Sequence, residues 1–293
     1  MNMKQLFILL CLALIPQTYA SNSDALRSDP QHIDKEYPPS IVELSFDSYG
    51  SELNGHLYQA NGKGPHPTVV MLHGLPGNEK NLDLAQALRR SGFNVLFFHY
   101  RGSWGSEGYY SFSNVIEDVA SALTFMRSDK AINDYRVDAD KLILLGHSMG
   151  GFAALQGSAR DADIQCTVGL AAANFGARIA SEDALNGLVN YTENLGPLNT
   201  KQNSIANDIK KNRDSFDVHN LAPQLKGKSI LLIAGDSDTV LPPATIHTPM
   251  VAAFRKEADI KLTDIILPGD HSFSWSRFKL AETVVPWLKE HCL

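Results

Sequence analysis

The chain has 293 residues, 44% of them hydrophobic and 20% charged, a composition that suits a folded globular protein and excludes a disordered or fibrous one. Its net charge of −6, with no dense Lys/Arg cluster, speaks against nucleic acid as a main partner, because phosphate binding needs a basic patch. Lys210, Lys211 and Arg213 form only a short basic run, read as a solvated helix face.

In chain order, Lys4, the apolar run Leu6 to Ile15, Pro16 and then Thr18-Tyr19-Ala20 read as a cleavable secretory signal cut after Ala20, which predicts a secreted or periplasmic protein. The run is well short of the ~20 residues that a spanning helix needs, and no later segment is long and apolar enough to cross a bilayer. Cys11 lies inside the run rather than after it, so lipid attachment there is not expected. Residues 21–40, polar and carrying Pro30, Pro38 and Pro39, form an extended lead-in. Ile41 to Phe46 and Leu53 to Tyr58 alternate apolar and polar around Ser48-Tyr49-Gly50-Ser51 and predict an antiparallel hairpin.

Beyond the hairpin, buried-strand runs (Thr68 to Leu72, Asn94 to His99, Lys141 to Leu145, Gln165 to Ala171, Ser229 to Ala234, Lys261 to Leu267) alternate with stretches of helical spacing. That order implies an α/β fold, a mostly parallel twisted sheet with helices on both faces, over residues 41–293. Residues 173–225 depart from it. They are polar, with Ile179, Leu185, Leu188, Val189, Ile205 and Ile209 at roughly helical intervals, and predict a helical cap inserted over the sheet end.

The chemistry centres on Gly146-His147-Ser148-Met149-Gly150, a serine between glycines directly after one strand and before one helix. A serine hydroxyl is a weak nucleophile until a base takes its proton, and a sharp strand-to-helix turn exposes it while the helix N-terminus faces developing negative charge. Two further loops follow strands. Gly235-Asp236-Ser237-Asp238 offers carboxylates and Gly269-Asp270-His271 offers an imidazole, both at strand C-terminal ends where open α/β sheets bind ligands. Serine, acid and histidine thus stand in the order of the hydrolase layout.

These motifs, with His73-Gly74-Leu75-Pro76-Gly77-Asn78 and the stretch from Phe98 to Gly108, resemble the α/β-hydrolase superfamily, in particular small secreted esterases and prolyl-oligopeptidase-like catalytic domains. The resemblance implies Ser148 as nucleophile, His271 as general base and then acid, and Asp238 as the residue that orients the imidazole. Asp236 is the rival acid; Val240 and Pro242 after Asp238 favour the latter, although Leu241 stands between them. It places the oxyanion-hole amides at Leu75 and Met149, and implies a serine hydrolase that cleaves small carboxylic esters through an acyl-enzyme. The same triad cleaves amides, so a peptidase or amidase is the alternative, and a non-catalytic binding protein on the same fold stands further off.

The other conspicuous residues take plainer readings. His73 and His147 are expected to be structural members of tight turns, and Arg101 with Glu107 to hold a loop together. Trp104 and Phe273 are candidates for the acyl pocket, with simple packing the commoner role. Of the cysteines left after the signal, Cys166 lies in an apolar run and is expected to be a buried free thiol rather than a partner of Cys292. No cysteine or histidine spacing suggests a metal, and no cofactor is expected.

Overall fold

The structure, a computed structural model, describes residues 24–179 and 181–293, so the signal expected at 1–20 lies outside the described residues. The strands are β1 (Ser40–Ser48), β2 (Ser51–Gln59), β3 (His66–Leu72), β4 (Asn94–Phe98), β5 (Val137–His147), β6 (Cys166–Leu170), β7 (Ser229–Gly235) and β8 (Lys261–Leu267). They form one sheet in the order β1-β2-β4-β3-β5-β6-β7-β8. β2 pairs antiparallel with both β1 and β4, and every other pairing is parallel, so β2 alone runs against the rest. The fold is that of an α/β-hydrolase. The hairpin and the strand runs lie where the alternation placed them, except that β5 begins four residues before the apolar run at Lys141.

The helices are α1 (Asp24–Arg27), α2 (Leu82–Arg90), α3 (Phe112–Met126), α4 (Asp129–Tyr135), α5 (Met149–Arg160), α6 (Phe175–Arg178), α7 (Glu182–Glu193), α8 (Ser204–Asn212), α9 (His247–Phe254) and α10 (Arg277–His291). Side chains alternate across a strand, so each central strand feeds two cores. Val70, Leu144 and Leu232 pack with Val119 of α3, Phe152 of α5 and Val251 of α9 on one face. Val69, Leu145 and Ile233 pack with Leu88 of α2 and Val284 of α10 on the other. This is why the central strands are apolar at nearly every position.

Two expectations are corrected. Cys166 is not a free thiol: it is bonded to Cys292, with the Cα atoms 5.7 Å apart. α10 packs on β6, and its cap residue Cys292 comes to rest beside the first residue of that strand, a proximity across 126 residues that no local pattern encodes. Nor does Arg101 pair with Glu107. Its guanidinium reaches down to Asp118 of α3 (Nε to Oδ1, 2.6 Å) and to Glu117, while Glu107 uses its carboxylate on the Glu52 amide. The loop is held as expected, by different partners.

The segment between β6 and β7 leaves the sheet and returns through a short neck. Asn174 donates from Nδ2 to Asp217 (2.8 Å) and accepts from the amides of Ala177 and Val218, and the Gly176 amide donates to the Phe216 carbonyl at 3.0 Å. A side chain at position 176 would collide with the opposite strand of the neck, since a Cβ there would lie 2.3 Å from the Asp217 nitrogen. Within the excursion, Leu185, Ile205 and Ile209 are buried, which accounts for its helical apolar spacing.

Candidate active site

Ser148 sits between β5 and α5 at φ 57°, ψ −119°, a conformation that strains any residue with a Cβ. Backbone hydrogen bonds hold it there: its amide donates to Leu170 O (2.8 Å), and its carbonyl accepts from Gly151, Phe152 and Ala173. The two flanking glycines are required by contact. A Cβ on Gly150 would fall 2.0 Å from Leu72 O, and one on Gly146 would fall 1.9 Å from Gly150 O.

The loops after β7 and β8 bring the other groups to this turn. His271 Nε2 is 2.9 Å from Ser148 Oγ, and His271 Nδ1 is 2.7 Å from Asp238 Oδ2. The second oxygen of Asp238 accepts the amides of Val240 and Leu241, each at 2.8 Å. Burial pushes the Asp238 carboxyl upward, but the hydrogen bonds from His271 and from these two amides outweigh it and hold the acid below its ordinary range. Asp236 is exposed and turned toward Gly269 and Ser237, so it does not reach the imidazole. A proton held as Nδ1–H against Asp238 leaves Nε2 free to accept from Ser148.

Met149 is the first residue of α5, where a helix leaves its amides without internal acceptors. The Gly74-Leu75-Pro76 loop faces it, close enough that a Cβ on Gly74 would touch the Ser148 Cβ at 3.0 Å. The carbonyls of this loop are held by side chains: Tyr100 donates its hydroxyl to His73 O (3.0 Å), His73 donates Nδ1–H to Gly74 O (2.8 Å), and His99 donates to His73 Nε2 (3.3 Å). Burial drives the His73 imidazole down to about 4, which keeps it neutral as this pattern requires. His147 likewise falls to about 4 through burial and the neighbouring His271, and its Nε2–H binds the His271 carbonyl at 2.7 Å. Both histidines are structural members of the site. The contacts of Tyr100 and His147 join residues 27 and 124 positions apart, so no sequence motif announced them.

A cavity of about 710 Å³ opens at Ser148 and His271. Its walls are mainly apolar, with Phe175, Ile179, Leu188 and Tyr191 from the excursion and Leu241 from the acid loop; Leu75 and Met149 also line it. Neither Trp104 nor Phe273 does: Phe273 is fully buried in the lower core, and Trp104 lies behind the Pro76 loop. Among the described residues no cluster of His, Cys, Asp or Glu could hold a metal ion, and no helix is long and apolar enough to cross a membrane.

A family model described as serine aminopeptidase, S33, matches residues 63–219, more than half of the chain and including the whole elbow. The chain belongs to this family of α/β-hydrolases. It is 29% identical over 160 residues to the uncharacterized protein YfhR of Salmonella typhimurium, covering 50% of the chain and 51% of YfhR. It is 30% identical over 131 residues to the quorum-quenching protein AidA of Acinetobacter baumannii, covering 42% and 41%. The chain thus spans about half the length of these curated relatives. Est1E from Butyrivibrio proteoclasticus superposes with a TM-score of 0.65 at 20% identity, covering 85% of the chain and 98% of Est1E, which is a likeness of fold.

Proposed function

We propose that the protein is a serine hydrolase that cleaves small carboxylic esters through an acyl-enzyme. The observation that carries this reading is the hydrogen-bonded line from Ser148 through His271 to Asp238, at 2.9 and 2.7 Å, opening on one apolar cavity. Ser148 Oγ attacks the ester carbonyl as its proton passes to His271 Nε2, and the imidazolium is supported by Asp238. The amides of Met149 and Leu75 receive the oxyanion. Collapse of the tetrahedral intermediate breaks the ester C–O bond, and His271 returns the proton to the leaving alcohol. Water, deprotonated by His271, then releases the acid and restores Ser148. Residues 173–225 act as the cap over this cavity.

Export through the signal at 1–20 belongs to the same proposal, and the Cys166–Cys292 bond supports it, because disulfides persist in oxidising compartments. A second reading, cleavage of aminoacyl amides, has one observation in its favour beside the family's description. Glu79 is the one carboxyl side chain among the described residues lining the cavity and offers a partner for a substrate ammonium. A fluorophosphonate should label the protein at Ser148 and leave Ser148→Ala unlabelled. p-Nitrophenyl esters of graded acyl length, run beside aminoacyl p-nitroanilides, then separate the readings: faster turnover of the anilides would replace the esterase assignment by the peptidase one.

A further inference from the structure

Trp104 carries a conformation that simple packing does not require. It is held at φ 49°, in the left-handed region that disfavours residues with a Cβ, and its ring is partly exposed, stacked on His99 with centroids 5.8 Å apart. Both of its N–H groups are engaged. The indole Nε1–H donates to Pro76 O at 2.6 Å, and the backbone amide donates to Pro197 O at 2.9 Å. The residues around it reinforce the second link: Ser103 bridges Leu198, and the Asn199 amide donates to Gly102 O at 2.7 Å.

These two partners belong to different parts of the site. Pro197 to Asn199 follow α7, the helix whose Ala184, Leu188 and Tyr191 form one wall of the cavity. Pro76 directly follows Leu75, to which an oxyanion-binding amide was assigned above. On the N-terminal side of Leu75 the loop carbonyls are already fixed by Tyr100 and His73, so the indole bond to Pro76 fixes the remaining side. The Leu75 N–H shares its peptide plane with Gly74 O, which His73 holds, and the indole bond to Pro76 O anchors the chain one residue past Leu75; with the loop fixed on both sides of that plane, the direction of its N–H is set before charge develops, as oxyanion stabilisation requires.

We propose that Trp104 is a positioning residue that couples the α7 wall of the cavity to the oxyanion loop. An acyl group that presses on α7 bears on Pro197, hence on the Trp104 backbone, and through the indole on Pro76. Substrate fit in the cap is thereby read as oxyanion alignment, which raises kcat rather than only lowering KM. The inference rests on the serine hydrolase reading and on Leu75 as an oxyanion donor.

The test is Trp104→Phe, which keeps an aromatic ring beside His99 and the backbone amide that reaches Pro197, and removes the indole N–H together with the second ring. With an ester long enough to reach α7, kcat should fall about tenfold while KM stays within about twofold, as expected for a loosened rather than deleted oxyanion donor. A boronic acid with the same acyl group should lose affinity in the same proportion. In a cycle with Leu188→Ala, the double variant should lose less kcat than the product of the two single losses. A kcat within twofold of wild type, an unchanged boronic acid affinity, strictly multiplicative losses, or a lowered melting temperature with normal kinetics would each overturn the coupling. Ser148→Ala assayed in parallel keeps the failures apart: an active alanine variant sinks the hydrolase reading itself, whereas an inactive one beside an indifferent Trp104→Phe sinks the coupling alone.

Discussion

Replacing Asp238 by Asn should lower kcat/KM by about 10⁴, or ~5.5 kcal/mol of transition-state stabilisation, while Asp236→Asn should stay within a few-fold of wild type. The size follows from the bonds that Asp238 makes. One oxygen accepts two backbone amides, and the other accepts Nδ1–H of His271. A carboxamide has a single acceptor end. Turned toward His271, it would set its NH₂ against the Val240 and Leu241 amides, leaving three buried donors facing one another. Turned the other way it satisfies both amides and donates to His271 Nδ1, which transfers the imidazole proton to Nε2. That nitrogen can then no longer take a proton from Ser148. Asp238 is almost completely buried, so water cannot mediate between the two arrangements. Asp236 is exposed, and its loss costs only the bonds to Gly269 and Ser237. Steady-state hydrolysis of a p-nitrophenyl ester at neutral pH, with the fold checked by circular dichroism, measures both variants. A folded Asp238→Asn variant within tenfold of wild type, or a larger loss at Asp236, would refute the argument.

The remaining expectations concern stability and specificity. His73 and His147 are buried with pKa values of about 4 against 6.5 for the free imidazole, so between these limits the unfolded chain binds protons that the native state does not. Stability therefore falls as pH drops from 6.5 toward 4, by ~2 kcal/mol per histidine at pH 5, and a urea midpoint unchanged between pH 7 and 5 would contradict this. Cys292→Ser opens a loop spanning 126 residues and should cost about 3–5 kcal/mol, read as a lower urea midpoint, with wild type in reductant showing the same loss. Leu188→Ala enlarges the cavity at α7 and should shift the preferred acyl length upward while lowering the melting temperature by only a few degrees, since Leu188 is only partly buried. An unchanged acyl profile would remove α7 from the specificity wall.

Most of the sheet was readable because a strand buried on both faces must be apolar at successive positions, and Val69 to Leu72 or Ile230 to Ala234 have no other reason to be so uniform. The serine turn was readable because contact with Leu72 O and Gly150 O leaves no room for side chains at Gly150 and Gly146. What escaped were contacts between distant segments. Cys166 shows only an apolar neighbourhood in its own strand, and its partner is revealed only by where α10 ends. Arg101 stands close in sequence to Glu107, yet α3 packs so that Asp118 from its middle meets the guanidinium instead. Trp104 passed as an aromatic at a sheet edge because the chain does not show which carbonyl its indole would meet.

The neck at Asn174, Gly176, Phe216 and Val218 has a consequence for how such a protein diversifies. The excursion closes on itself before the chain re-enters the sheet, so its two ends are fixed to each other rather than to anything within it. Lengthening the interior ahead of Pro197 therefore leaves β6, β7 and the Ser148 turn in place, and each doubling of a flexible loop costs only about 0.6 kcal/mol of closure entropy. The part of the excursion ahead of Pro197 is a replaceable cassette: recombination there can graft a new substrate wall onto an old catalytic floor, provided that Gly176, where nothing larger fits, and Pro197 to Asn199, which hold Trp104 and Gly102, are preserved.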